Sequence, residues 1–333
     1  MRADADFLRS IPKVELHCHL EGAVPATTAI ALARKNGIRL PTYDPELLYT
    51  FADLPEFLTV YRAVCASMVT ARDFAEIAYA AQEEGVRTGN LRYRELFINP
   101  TNHHVPYPEM LEGIIDGLRC AEEDFGVVGR VIPAINREQS PSMARELVEA
   151  VIEYRRDEVL GIGLDHNDAL GPPELFVDAF QVAANAGLRR TAHAGEIDQR
   201  DQVIDSIELL GCERIDHGYA VMSDPVAVEF VRDAGTHFAG CWSSCAWFHP
   251  GLPQHSLPIA AMLRAGLPVS INSDDPPMFG TGIGNEYVLV GKTLGWTRAQ
   301  AIQAAVAAVD GSWMDASDKA ALRREIEDAI HTP

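Results

Sequence analysis

The 333-residue chain has no stretch of about 18 apolar residues, so a membrane-spanning helix is not expected. Basic residues are scarce: 28 Lys and Arg stand against 48 Asp and Glu, a formal charge of −20. Such a surface repels a phosphate backbone, so nucleic acid is not an expected partner. The six cysteines show no Cys-x-x-Cys spacing, and Cys18, Cys212 and Cys241 lie in or beside apolar runs. Reduced core thiols are expected rather than a disulfide framework. The N-terminus, Met1-Arg2-Ala3-Asp4-Ala5-Asp6, has acids where a secretory signal needs basic and then apolar residues. A cytoplasmic location is therefore expected. No Gly/Ser linker, low-complexity tract or long charge block divides the sequence, and residues 1–333 read as one domain.

One local pattern recurs. A helix-like stretch ends at glycine and a short apolar strand follows. Gly85 precedes Leu91–Ile98, Gly126 precedes Val131–Ile135, and Gly187 precedes Leu188–His193. Gly211 precedes Arg214–His217, Gly235 precedes Thr236–Cys241, and Gly266 precedes Pro268–Asn272. Glycine just past a helix suits its left-handed terminal position. Ser140-Pro141 and Asp224-Pro225 each place a capping side chain before a first-turn proline. With Val14–His19 and Val159–Leu164 the set comes to eight strands separated by helices, which predicts a (β/α)8 barrel. A doubly wound open sheet would need a Gly-rich phosphate turn, and Gly161-Ile162-Gly163 falls within a strand instead. Residues 20–90 form a helical insertion after the first strand, and residues 297–331 form two terminal helices.

The chemistry gathers at the strand ends. His17 and His19 are one residue apart, so on a strand both imidazoles face one side. His193 ends the fifth strand, His217 the sixth, and Asp274 follows the eighth. A (β/α)8 barrel brings these ends to one rim. Three imidazoles and a carboxylate suit zinc, with His17, His19, His193 and Asp274 as ligands to one ion; iron or manganese would fit similar donors. A metal there lowers the pKa of water to roughly 7. Glu196 and His217 are placed to move protons, and Asp275 to accept from a substrate N–H. His103 and His104, in a polar loop with Asn102 and Pro106, read as solvated surface. His249 and His255 read as loop residues, and Trp242, Trp247 and Phe248 as lining a wall of the mouth or packing beneath it.

The segments Glu15-Leu16-His17-Cys18-His19-Leu20-Glu21-Gly22, His193-Ala194-Gly195-Glu196, His217-Gly218-Tyr219 and Asn272-Ser273-Asp274-Asp275-Pro276 resemble the adenosine deaminase family of the amidohydrolase superfamily. The resemblance runs from about residue 11 to residue 290. It implies a zinc-dependent barrel that replaces the exocyclic amine of a 6-aminopurine with oxygen, releasing ammonia. It implies that His17, His19, His193 and Asp274 bind zinc, and that Glu196 protonates purine N1. His217 would orient or deprotonate the attacking water, and Asp275 would contact N7. The substrate face would comprise His19, Glu21, Asp165, His166, Gly195 and Asp275. The fourth strand, Val159–Asp165, has no lysine to bridge two metals, so one ion is implied.

Substrate features are mixed. Glu21 stands where adenosine-type members carry Asp, and Asp165 is similar to the adenine type. His166 matches neither, Tyr219 is similar to the adenosine type, and Trp242 replaces the usual proline after Cys241. Adenosine, adenine or a modified 6-aminopurine all remain open. Two other readings compete: a metal-dependent phosphoesterase, which would use several metals and basic residues, and a non-catalytic purine-binding protein on the same fold. Zinc deaminases of nucleic acids use a Pro-Cys-x-x-Cys signature, which is missing.

Overall fold

A computed structural model describes residues 2–331. Eight parallel strands follow one another around a ring: β1 (Lys13–His19), β2 (Leu91–Ile98), β3 (Val128–Asn136), β4 (Gly161–Asp165), β5 (Arg189–Ala194), β6 (Arg214–His217), β7 (His237–Cys241) and β8 (Val269–Asn272). The ring closes between its first and last members. His19 N–H donates to Asp274 O at 3.0 Å, and Asp274 N–H donates to His17 O at 3.3 Å. This is the (β/α)8 barrel that the strand–helix alternation predicts. β2 and β6 match the predicted ranges residue for residue. β4 starts two residues late, because Val159 makes only an isolated bridge to Val131.

The connecting helices start and stop largely where the sequence signals them. Ser140 Oγ accepts from Met143 N–H, and an Asp224 carboxylate oxygen accepts from Val226 N–H. Gly126, Gly187, Gly211, Gly235 and Gly266 all take left-handed conformations at the predicted stops. Gly85 does not. It lies inside the helix Ala71–Gly89, which Asn90 ends with φ of 53°. A Cβ on Gly85 would meet Arg94 Nη2 at 2.7 Å, so this glycine makes room for a guanidinium rather than a turn.

That guanidinium reaches the rim through one carboxylate. Arg94 Nε donates to Glu15 Oε2, while Glu15 Oε1 accepts from the N–H and hydroxyl of Ser273, next to Asp274. A second buried pair crosses the opposite end of the barrel. Arg214 Nη1 on β6 lies 2.7 Å from Glu95 Oε2 on β2, and Glu95 Oε1 accepts from Trp313 N–H at 2.7 Å. Trp313, over whose ring the Arg214 guanidinium sits, joins the terminal helices Arg298–Gly311 and Ala316–Asp328 and brings them under the barrel. Losing one partner of such a pair strands a buried charge, at a cost of about 3–5 kcal/mol.

The insertion after β1 carries the helices Ala26–Asn36, Leu54–Ala66 and Ala71–Gly89. Its middle helix lies beside the mouth. Phe57 stacks on Phe279 (centroids 5.6 Å apart), and Trp247 meets Phe51, Phe57 and Phe279. Trp247 is thus the mouth wall expected, whereas Trp242 is fully buried beneath it. No helix among the described residues is long and apolar enough to cross a membrane.

Candidate active site

The C-terminal ends of β1, β5, β6 and β8 bring His17, His19, His193, His217 and Asp274 together, as predicted. Four non-glycine residues among those described have positive φ, and three of them stand on this rim: His166 (70°), His217 (67°) and Asp274 (64°). Left-handed backbone at a non-glycine residue is strained, and such strain gathers at functional sites. It bends the chain sharply as each strand ends.

His19 Nε2 and His193 Nε2 are 3.1 Å apart, and Asp274 Oδ1 lies 3.0 Å from His17 Nε2 and 3.5 Å from His19 Nε2. Ligands about 2.0–2.1 Å from a tetrahedral ion stand roughly 3.3 Å from one another, close to these three separations. Among the described residues, the groups whose donors all lie within 4.8 Å of one another are His17, His193 and His217, then His17, Cys241 and Asp274, then Glu196, His217 and Asp274, and none of them includes His19. Asp216, which the sequence reading missed, supports this cluster from the barrel interior. Its Oδ1 is 3.2 Å from His17 Nδ1 and its Oδ2 is 3.7 Å from His193 Nδ1, with Thr191 Oγ1 donating to Oδ2 at 2.7 Å. A carboxylate behind two imidazoles turns their other nitrogens toward a metal. Alternation along β6 was the available signal, because it faces Asp216 inward beside Arg214.

The charges agree with a cation. Burial presses His17 toward neutrality, yet Asp274 and Asp216 push it up to about 10. Burial and the neighbouring rings lower His193. Cys241 also borders this centre, but burial raises its thiol well above the usual range and keeps it protonated.

Glu196 is 21 % exposed in its side chain, with Oε1 3.6 Å from His217 Nε2 and 3.4 Å from Ser244 Oγ. Burial, then Asp274 and Asp168, raise its carboxyl well above the ordinary value, which favours its protonated form. Burial and then His17 lower His217 to about 3. The tautomer of His217 follows from Tyr219. The Tyr219 hydroxyl accepts from Cys241 N–H (2.8 Å) and donates to Cys241 O (3.0 Å). Toward His217 Nδ1, at 3.4 Å, it has only a lone pair to offer. Nδ1 therefore carries the proton, and Nε2 is free to accept one. Tyr219 is buried and serves His217, so its adenosine-like identity says nothing of the substrate edge.

Asp275 is buried, with no partner for Oδ1, and burial and Asp274 raise its carboxyl. Gly22 lies against it: a Cβ there would stand 1.6 Å from Asp275 Oδ1. Gly195 has φ of 65°, and a Cβ on it would press Val203 at 2.7 Å. Glu286, also missed, clamps the first turn of the helix Trp242–Phe248 that follows β7. It accepts from Trp242 N–H (2.9 Å), from Ser243 N–H (3.2 Å) and from the Ser243 and Thr281 hydroxyls. A proline at 242 would have no N–H to give, so Trp242 and Glu286 belong together.

The remaining wall joins the ends of β1, β2 and β4. Asp165 Oδ1 accepts from Asn99 Nδ2 and faces His166 Nδ1, each at 2.8 Å. Glu21 Oε1 accepts from Asn99 N–H at 2.9 Å and faces His103 Nε2 at 3.2 Å, while Glu21 Oε2 is buried without a partner. The surface reading of His103 is corrected here. Its side chain is fully buried, because the short turn Pro100–Asn102 swings it inward against Phe74 and Glu21. His104 is exposed as expected, His255 is exposed, and His249 Nδ1 lies 2.8 Å from Cys245 O.

Known proteins resemble this chain in sequence and fold. The family model for adenosine deaminase matches residues 12–329. An adenine deaminase of Streptomyces coelicolor is 37% identical over 305 residues, covering 89% of this chain and 88% of its own length. The crystal structure of an adenine deaminase from Arthrobacter aurescens superposes with a TM-score of 0.90 at 32% identity, over 96% of this chain and 99% of that one. An amidohydrolase from Burkholderia ambifaria with bound Zn superposes with a TM-score of 0.91 at 33% identity, over 98% and 92%. The chain belongs to the adenosine deaminase family, hydrolases of C–N bonds in cyclic amidines.

Proposed function

We propose that this chain hydrolyses the 6-amino group of a free 6-aminopurine base, adenine first, giving the 6-oxopurine and ammonia. One zinc, held by His17, His19, His193 and Asp274, supplies an activated water when bound. Glu196, protonated near neutrality, gives its proton to N1 and makes C6 electrophilic. His217 accepts a proton from the attacking water at Nε2. Asp275 binds N7. The tetrahedral carbon then loses ammonia.

The observation that carries the choice of a free base is Glu21 Oε2, a buried acceptor with no partner. Adenine has an N–H on its five-membered ring, and a nucleoside has a sugar carbon there instead. A buried acceptor built to receive a donor rejects a ligand that lacks one by about 10⁴-fold. Buried Arg137 is turned to Gln202 Oε1 and His193 O rather than toward a nucleotide phosphate. The named adenine deaminases at 32% and 37% identity support the same choice. His166, 22 % exposed beside Asp165, favours a second reading in which the base carries a polar substituent on that edge.

The test is ammonia release from adenine, adenosine, AMP and 2-substituted adenines by zinc-loaded protein. Adenine should exceed adenosine and AMP in kcat/KM by at least about 10²-fold. Equal rates on adenosine would refute the free-base reading, and a 2-substituted base ahead of adenine would favour the second. Gly22→Ala should also lower kcat/KM for adenine about 10²-fold, since a shift of about 1 Å in a reacting group costs that much. Unchanged kinetics in that variant would separate Asp275 from the chemistry.

A further inference from the structure

We infer that His103 is a positioning residue for substrate selection, acting through Glu21; the inference rests on the free-base reading above. His103 comes from the loop after β2 and Glu21 from the loop after β1, and each side chain is fully buried. Glu21 Oε1 has two neighbours, the Asn99 N–H at 2.9 Å and His103 Nε2 at 3.2 Å. Together they fix the plane of the carboxylate and leave Oε2 as its free acceptor. A backbone N–H alone would hold one oxygen but let the group rotate about it. The imidazole removes that freedom.

The surroundings of His103 point the same way. Its Nδ1 is buried with no partner, so Glu21 is the polar group this ring serves among the described residues. Phe74 braces the ring edge-on, with centroids 5.0 Å apart. A cavity of about 180 Å³, lined by Cys65, Met68, His104 and Glu109, lies on its outer side. Apolar packing alone would be better served by leucine, because an imidazole nitrogen is left unpaired at a cost. A side chain retained at that cost, against one carboxylate, is there to aim it. Asn99 ties this corner to the next wall, since its side chain donates to Asp165.

The experiment compares wild type, His103→Ala and His103→Gln. It measures kcat and KM for adenine and 9-methyladenine, zinc content, and calorimetric binding of adenine to the metal-free protein. In His103→Ala the KM for adenine should rise about tenfold, a loss of one fixed hydrogen-bond acceptor, with kcat changed far less. Preference for adenine over 9-methyladenine should narrow by the same factor, and adenine should bind the metal-free protein about tenfold more weakly. His103→Gln keeps an N–H donor and should recover most of both. Unchanged selectivity and binding in His103→Ala would overturn the inference. So would equal losses on both substrates accompanied by lost zinc, which would mark a structural role. Wild type that handles 9-methyladenine as well as adenine would overturn the free-base reading itself, and the inference with it. If neither compound is turned over, binding to the metal-free protein still decides the role of His103.

Discussion

Glu196→Gln should lower kcat on adenine by about 10²–10⁴-fold, the usual worth of a positioned general acid. The substitution keeps the shape of the side chain and its reach toward Ser244 Oγ and His217 Nε2. It removes only the transferable proton. Glu196 is outside the proposed ligand set, so zinc content and thermal unfolding should stay as in wild type. The size of the effect follows from the environment. Burial and the nearby carboxylates Asp274 and Asp168 raise the Glu196 carboxyl, which favours an acid loaded before substrate arrives. An amide cannot take that part at any pH. Full turnover in the Gln variant would mean that N1 gains its proton elsewhere.

Removing the metal should be equally severe. A chelated, dialysed sample should lose at least about 10³-fold in turnover, since a metal contributes several kcal/mol to such reactions and each 1.4 kcal/mol is tenfold. Zinc should restore it. The barrel should persist, because the β1–β8 closure is made by backbone groups of His17, His19 and Asp274, not by their side chains. The melting temperature should nevertheless fall, as a ligand of the folded state is withdrawn. The electrostatics set the direction. Asp274 and Asp216 both sit against His17, and a proton on that ring is a weaker partner for them than a dication. Turnover unaffected by complete metal loss would remove the proposed ligand set from the chemistry.

The parts that were legible in sequence are local. β2 and β6 are bounded by their own apolar runs, and the His-x-His, His-x-x-Glu and Asp-Asp segments sit at strand ends that the barrel topology alone converges. The parts that were not legible depend on distant partners. Asp216 matters because β1 and β5 place two imidazoles beside it. Gly85 looked like a helix stop because nothing local reveals Arg94 pressing against it. His103 looked like surface because its neighbours are polar, and only the turn at Pro100–Asn102 shows that it faces Glu21. The Glu286 clamp was hidden for a related reason: its donors come from residues about forty positions away.

Those distant pairings shape the wall proposed to face the substrate, which is why reaction class was readable while substrate was not. The proposed ligands and proton carriers come as motifs. Glu21 and Asp165, the acceptors proposed to choose among purines, are held by Asn99 and His103, which carry no motif.

The most direct test is to incubate zinc-loaded protein with adenine in ¹⁸O-labelled water and follow ammonia and the purine product together. The account predicts equal amounts of ammonia and 6-oxopurine, with one labelled oxygen at C6. Adenine returned unchanged, or ammonia formed without label in the purine, would contradict it.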